Sequence, residues 1–292
     1  MSDNLRGILL MCLAMLAFVI NDSFMKAVSQ DLPLFQAITL RGIGASAALA
    51  VIAYLREGHL RLWPQGPDLG VLTIRTMAEV LATVTFLTAL VHMPLATLSA
   101  IMQALPLAVT LAAALFYREA IAPQIWLAIA AGFVGVLLIV KPGFAAFDRW
   151  SVLGLVSVAF VVLRDLSTRH FSGPLPSTTV AIWAAISVTL LGLVGGLFED
   201  WQSVPLAQAL MLAGSTAALV VGYITVVMVM RVGDVAIVAP FRYTALLWAL
   251  LFGWLFFGSL PDMVALVGAV IVVVSGIVTL TQARHRADEA KG

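Results

Sequence analysis

Seven ionisable residues sit where charge is expensive: Asp22, Arg41, Arg75, Glu79, Arg164, Asp165 and Arg242 all fall inside long apolar stretches. A charge at the centre of a bilayer costs on the order of 3 kcal/mol on insertion scales, so each needs a partner or water. Four guanidiniums and three carboxylates in such places suggest two chemistries. A guanidinium is a bidentate receptor for a carboxylate or another anion. A buried carboxylate can hold a structural ion pair or carry a proton. Spacing sorts them. Arg75 and Glu79 are four apart and share a helix face. Arg164 and Asp165 are neighbours, point about 100° apart and cannot both face one cavity squarely. Depth along each stretch predicts two clusters. Asp22 and Arg41 could pair near one side, while Arg75, Arg242, Arg164 and Asp165 could meet near the other, with Glu79 between. For Asp22 and Arg41 two readings stand, a packing or gating pair and direct contact with a solute.

Arg242 lies in Ala-Pro-Phe-Arg-Tyr, residues 239–243. Pro240 frees a backbone carbonyl one turn before it. Gln103 and Pro106 occupy the matching region of another apolar stretch, and Gln103 aligns with Tyr243. Two polar, proline-bearing segments in corresponding positions point to a binding site at the midplane of a transporter. Phe86, Met102, Gln103, Tyr223 and Tyr243 are therefore candidate substrate contacts beside Arg75, Glu79 and Arg242. Asp22, Arg41, Arg164, Asp165, Pro106 and Pro240 are candidates for gating or coupling. Tyr223 is the weakest candidate, since a single tyrosine in a span is commonly packed.

These residues need elements to hold them, and composition says what kind. The chain is 62% hydrophobic and 11% charged, with a mean hydropathy of +1.07. A soluble domain of this length could not bury so much apolar surface, so the solvent must be lipid. The apolar runs predict helices near 5–28, 34–55, 69–91, 95–117, 122–140, 151–171, 177–197, 207–230, 235–257 and 262–281. The fold class expected is an all-α integral membrane protein of ten transmembrane helices. The net charge of +1 gives no sign of nucleic-acid binding, and the single cysteine, Cys12, excludes an intrachain disulfide. No cleavable signal peptide is expected, since the first apolar run leads directly into further spans.

The ten spans divide into two similar halves, 1–145 and 146–292. Asp22 meets Asp165, Lys26 meets Arg169, Ser29 meets Ser172, and Leu32-Pro33 meets Leu175-Pro176 at one offset. Ala-Leu-Phe-Tyr at 114–117 echoes Trp-Leu-Phe-Phe at 254–257 at a nearly equal offset. Five spans per half is an odd count, so the copies must cross the membrane in opposite directions around a central cavity. Arginine and lysine set the orientation. With a cytoplasmic N-terminus, Arg6, Arg56, Arg61, Arg118, Arg169, Arg231, Arg284, Arg286 and Lys291 lie inside, and only Lys26, Lys141 and Arg149 lie outside. Both termini are expected in the cytoplasm. Small residues at helical spacing, Gly192/Gly196, Gly214/Ala218/Gly222 and Ala128/Gly132, suit close helix packing. Trp63, Trp150 and Trp201 fit an interfacial belt.

Met-Pro-Leu-Ala-Thr-Leu-Ser-Ala at 93–100, followed by Tyr-Arg-Glu at 117–119, resembles the fourth span and turn of the drug/metabolite transporter superfamily, EamA type. Val-Ala-Pro-Phe-Arg-Tyr-Thr-Ala-Leu-Leu-Trp at 238–248, with Phe-Phe-Gly-Ser-Leu-Pro-Asp at 256–262, resembles its ninth span and turn. The resemblance covers nearly the whole chain and rests on order and spacing. One departure stands out: the family has an acidic residue where this chain has Ser259, whereas Glu119 keeps one in the first half.

The resemblance implies two inverted five-helix halves, a bacterial inner-membrane location and secondary transport of small amphipathic metabolites. Among family members the chain is most similar to bacterial amino-acid exporters, including those for aromatic amino acids. Uptake of a vitamin in the same fold is the alternative. Without a G-x-x-x-x-G-K-[ST] pattern the chain is not expected to hydrolyse ATP, and no ATPase subunit or cofactor is implied. A monomer or weak dimer in the lipid bilayer is expected. An intramembrane enzyme is disfavoured: neither H-E-x-x-H nor G-x-S-x-G occurs, and His59, His92, His170 and His285 lie in loops or tails. A receptor or scaffold would explain the spans but not mirrored polar groups.

Overall fold

The computed structural model describes residues 3–57, 68–117, 122–141, 149–171, 177–229, 232 and 235–289. Arg61, Trp63, Arg118, Glu119, Ser172, Leu175, Pro176, Arg231 and Lys291, which the sequence reading uses, lie outside the described residues, as does His59. Among the described residues every regular element is helical. Lipid requires this, because a chain crossing hydrocarbon must satisfy its backbone within the segment or close a barrel.

The elements in order are α1 (Asp3–Val28), α2 (Leu34–Glu57), α3 (Asp68–His92), α4 (Leu95–Met102), α5 (Leu105–Phe116), α6 (Pro123–Val140), α7 (Arg149–Thr168), α8 (Ser177–Gly196), α9 (Leu206–Val229), α10 (Val235–Val238), a 3-10 turn (Ala239–Tyr243), α11 (Thr244–Phe257) and α12 (Met263–Glu289). They form ten helical spans long and apolar enough to cross a bilayer. The spans predicted over 95–117 and 235–257 are both interrupted, beside the prolines the sequence marks. In the fourth span the Gln103 N–H is shared between the Ser99 and Ala100 carbonyls, and the Ala104 N–H goes to Ile101, one residue short of α-helical register. The cause is Pro106, which has no N–H for the Met102 carbonyl. In the ninth span Pro240 sits in the 3-10 turn that carries Arg242.

The packing is organised across the two halves. The most extensive contacts pair α1 with α9, α2 with α8, α3 with α7 and α6 with α12. Small residues allow the approach. A Cβ on Gly192 would come within 2.6 Å of the Thr39 hydroxyl, and one on Gly222 within 2.7 Å of the Phe18 ring. Where α6 meets α12, Gly135 and Gly268 face each other: a Cβ on either would reach the other's carbonyl oxygen at 2.7 or 2.5 Å. With little hydrophobic drive between helices in lipid, such packing is a main source of association.

Loop chemistry closes one rim. The Glu199 carboxylate accepts from Phe35 N at 3.0 Å and Gln36 N at 3.1 Å, capping orphan donors at the start of α2. The Gln36 side chain pairs with the Gln202 backbone in both directions. Lys141 ends α6 in a left-handed conformation and donates to Asp262, whose other oxygen accepts from Ala265 N at 3.0 Å and caps α12. The Lys141 hydrogen bond holds the Asp262 carboxyl below the usual carboxylate range. Trp150 stacks on His92 with ring centroids 3.7 Å apart, under the Arg149 guanidinium, in keeping with an interfacial position.

Candidate functional site

Two cavities compete for attention. The larger, about 960 Å³, is a mostly apolar cleft beside Phe24, Phe252, Phe256 and Phe257. The smaller, about 320 Å³, gathers the ionisable residues and is the candidate site, because convergent polar groups in an apolar pocket mark binding.

Nine helical elements line it, α5 through Leu105 and α8 through Ala184, Ala185 and Val188 among them. α1 presents Phe18, Asn21 and Asp22, and α2 presents Arg41. α3 supplies Glu79, Thr83 and Phe86, and α4 ends at Met102. α7 supplies Arg164, α9 supplies Tyr223, and the 3-10 turn supplies Arg242. Phe18 meets Tyr223 edge-on with ring centroids 5.8 Å apart, forming an aromatic wall. Asp22 and Arg41 line the same space as Glu79, Arg164 and Arg242, so the two clusters expected from depth form one site. Rank along a helix overstates separation, because arginine stems run far along the helix axis.

The charges are wired unequally. Arg164 is held between two carboxylates. It donates from Nε to Asp165 Oδ1 at 2.9 Å and from Nη1 to both Glu79 oxygens at 3.3 Å. Arg75 reaches Glu79 only at 3.9 Å and gives its Nε–H to Thr168 Oγ1 at 3.1 Å. Breaking such a buried arrangement leaves an uncompensated charge, which is more costly than the arrangement is stabilising. The direct Asp22–Arg41 contact is replaced by a relay. Arg41 Nη1 donates to Asn21 Oδ1 at 3.2 Å, Ser215 Oγ donates to the same oxygen at 2.8 Å, and Asn21 Nδ2 donates to Asp22 Oδ1 at 2.9 Å.

Arg242 differs from the others. It lines the cavity, and among the described residues no hydrogen bond or ion pair engages its guanidinium.

Six of the residues singled out from sequence stand outside the cavity lining: Arg75, Gln103, Pro106, Asp165, Pro240 and Tyr243. Arg75 and Asp165 back the lining charges. Pro106 and Pro240 shape the broken spans. Tyr243 turns away to α12, where its hydroxyl fills the space over Gly276; a Cβ there would come within 1.6 Å of it. Gln103 is buried in the helix interruption. Asn21, Phe18 and Ser215 were missed. Asn21 had a signal, an amide in an apolar run beside Asp22. Phe18 and Ser215 had none, since only the pairing of α1 with α9 brings them in.

Residues 5–141 match the EamA-like transporter family. The first half of this chain is an EamA domain. The whole chain is 28% identical to the pseudopaline exporter CntI of Pseudomonas aeruginosa, over 93% of this chain and 94% of that protein. It is 27% identical to a riboflavin transporter of Vibrio cholerae, over 93% and 91%. It is 26% identical to an S-adenosylmethionine uptake transporter of Rickettsia bellii, over 62% of each. A solved crystal structure superposes with TM-score 0.65 at 19% identity, covering 96% of this chain and 98% of that one, which shows a shared fold. The chain is a multi-pass membrane transporter and not an enzyme.

Proposed function

We propose that this chain moves small amphipathic carboxylates outward across the bacterial inner membrane by alternating access, with amino acids, aromatic ones included, as the foremost class. Arg242 carries the reading: it is a cavity guanidinium that no hydrogen bond or ion pair engages among the described residues, while Arg41 and Arg164 are engaged. A solute carboxylate supplies what it lacks, two oxygens for a planar fork. Phe18, Phe86, Met102 and Tyr223 offer an apolar and aromatic wall to the rest of the solute. A volume of about 320 Å³ lies at the small end of the roughly 300–1,000 Å³ range of ligand pockets, which suits an amino-acid-sized solute. The inverted repeat is supported by the helix pairing, which maps onto itself when each span is exchanged for its counterpart in the other half. Cytoplasmic termini are supported by the arginine asymmetry.

The test is counterflow of a labelled amino-acid panel in proteoliposomes. Arg242→Ala should remove transport of the accepted solute in a protein that remains monodisperse. Losing a charged hydrogen-bonding partner costs about 1.5–3 kcal/mol of binding. Arg242→Lys should rescue poorly, since a point charge lacks the fork. Wild-type counterflow in Arg242→Ala would overturn the anion-site reading. Uptake of a vitamin-like metabolite is the second reading, favoured by the relatives named for riboflavin and S-adenosylmethionine. It predicts counterflow with such solutes in place of amino acids.

A further inference from the structure

Two contacts far from the cavity share one design. At the end of α1, Lys26 Nζ lies 5.6 Å from the ring centroid of Phe257, at the end of α11. After the end of α7, the Arg169 guanidinium carbon lies 5.7 Å from the ring centroid of Tyr117, after the end of α5. Both fall within the roughly 6 Å over which a cation is attracted to an aromatic face. The four residues were already matched in sequence: Lys26 echoes Arg169, and Tyr117 echoes Phe257. Exchanging the halves therefore turns one contact into the other.

Chain direction places them on opposite faces. Lys26 and Phe257 lie at the ends of the first and ninth spans, both odd. Arg169 and Tyr117 follow the sixth and fourth, both even. Antiparallel spans end on alternate sides, so one contact lies at each membrane face. Each joins the two halves, with a cation from one and a ring from the other. The candidate site lies between them.

We propose that Lys26–Phe257 and Arg169–Tyr117 are the two gates of this transporter, which open in alternation; this structure holds both contacts. The proposal rests on the alternating-access reading above. The two gates are unequal. The Tyr117 hydroxyl also donates to the Leu166 carbonyl at 3.2 Å and lies 3.3 Å from His170 Nδ1, whereas Phe257 has no hydroxyl. Lys26 instead anchors to its own half, donating to the carbonyls of Leu90 at 2.7 Å and Met93 at 3.0 Å. The Lys26 gate can therefore open by moving Phe257 alone, and the apolar cleft of about 960 Å³ that both residues line lies beside it. The Arg169 gate must also break the tyrosine hydroxyl bonds. The asymmetry favours opening on the Lys26 face.

Accessibility of a cavity thiol tests this without knowing the substrate. In a Cys12→Ser background, Thr83→Cys places one thiol in the cavity lining. A membrane-impermeant maleimide is then applied to one face at a time in oriented proteoliposomes. Phe257→Leu should raise labelling from the Lys26 face and lower it from the other. Tyr117→Leu should do the reverse. The ratio of the two rates should move by about two- to fivefold in Phe257→Leu, as loss of one cation–aromatic contact gives, and by more in Tyr117→Leu, which also loses the hydroxyl bonds. Phe257→Tyr keeps the ring and should hold its gate, and Tyr117→Phe, which keeps the ring and loses only the hydroxyl bonds, should shift the ratio less than Tyr117→Leu; this separates gating from damage to the fold. Unchanged ratios, or shifts in the same direction for both leucine variants, overturn the gate assignment. A parent thiol that labels from neither face, while the denatured protein labels fully, instead overturns alternating access itself.

Discussion

At the scale of single residues, the cavity separates carboxylates that look alike in sequence. Glu79 is the most central, which makes it the first candidate for a proton carrier. The structure gives it two guanidiniums, with Arg164 bonded to both oxygens. Asp22 accepts from Asn21 and has no cation within ion-pair distance among the described residues, although it too lines the cavity. A group locked between cations is a poor carrier, because protonating it strands both charges. If transport is proton-coupled, Asp22→Asn should abolish pH-gradient-driven flux and retain exchange at equal pH. Glu79→Gln should instead lower the melting temperature through the stranded Arg164. Gradient-driven flux surviving in Asp22→Asn, measured with a pH jump across proteoliposomes, would rule out Asp22 as carrier. The charged residues were legible because charge is rare in a span. Their wiring was not. The Arg164–Glu79 bond joins α7 to α3, and the Asn21 relay needs Ser215 of α9; neither pairing leaves a mark in local sequence.

At the scale of elements, span existence was easy to read and continuity was not. Twenty apolar residues predict a crossing whether or not the helix breaks within it. Pro106 and Pro240 marked where two spans would be disturbed, but not that the interruption would turn Gln103 and Tyr243 away from the cavity. The caps lay further from view. Glu199 acts on α2 from a loop more than a hundred and sixty positions away in sequence. Glu199→Ala leaves the first N–H groups of α2 without an acceptor, and caps of this kind are worth about 0.5–2 kcal/mol. The variant should melt earlier in detergent, with Glu199→Gln intermediate. An unchanged melting temperature in both would show that water replaces the carboxylate at no cost. Asp262 contributes in one pH direction. Its carboxyl lies below the usual range, so the stability it adds is present above the ordinary carboxylate pKa and fades as pH falls through its own. Its exposure keeps that contribution small.

At the scale of the whole molecule, the chain behaves like a dimer joined end to end. The principal partner of α1, α2, α3 and α6 lies in the other half, and the set of pairs is unchanged by exchanging the halves. An interface that maps onto itself in this way is isologous. The segments 1–145 and 146–292, made as separate chains in one cell, should therefore find each other and co-purify. A reporter fused at Gly292 should read cytoplasmic in the full chain and in the reassembled pair. Segments that accumulate without associating, each folded alone, would show that the halves are independent domains.

The same pairing also sets the order in which the molecule can be assembled. α3 with α7, α2 with α8 and α1 with α9 are nested, like successive rungs closing outward from the middle of the chain. As synthesis proceeds from the N-terminus, the first half enters the membrane with Arg75 and Glu79 inside spans and their cross-half partners, Thr168 and Arg164, not yet made. The first rung becomes available when α7 emerges, and it carries the Arg164–Glu79 bond. The shortest loop closes first, which is the least costly entropically. The glycine seam of α6 and α12 must wait for the last span, so the rigid closure at Gly135 and Gly268 is also the final event of synthesis. A transporter built this way depends on its membrane insertion machinery to shelter unpaired charge for the time it takes to translate two spans.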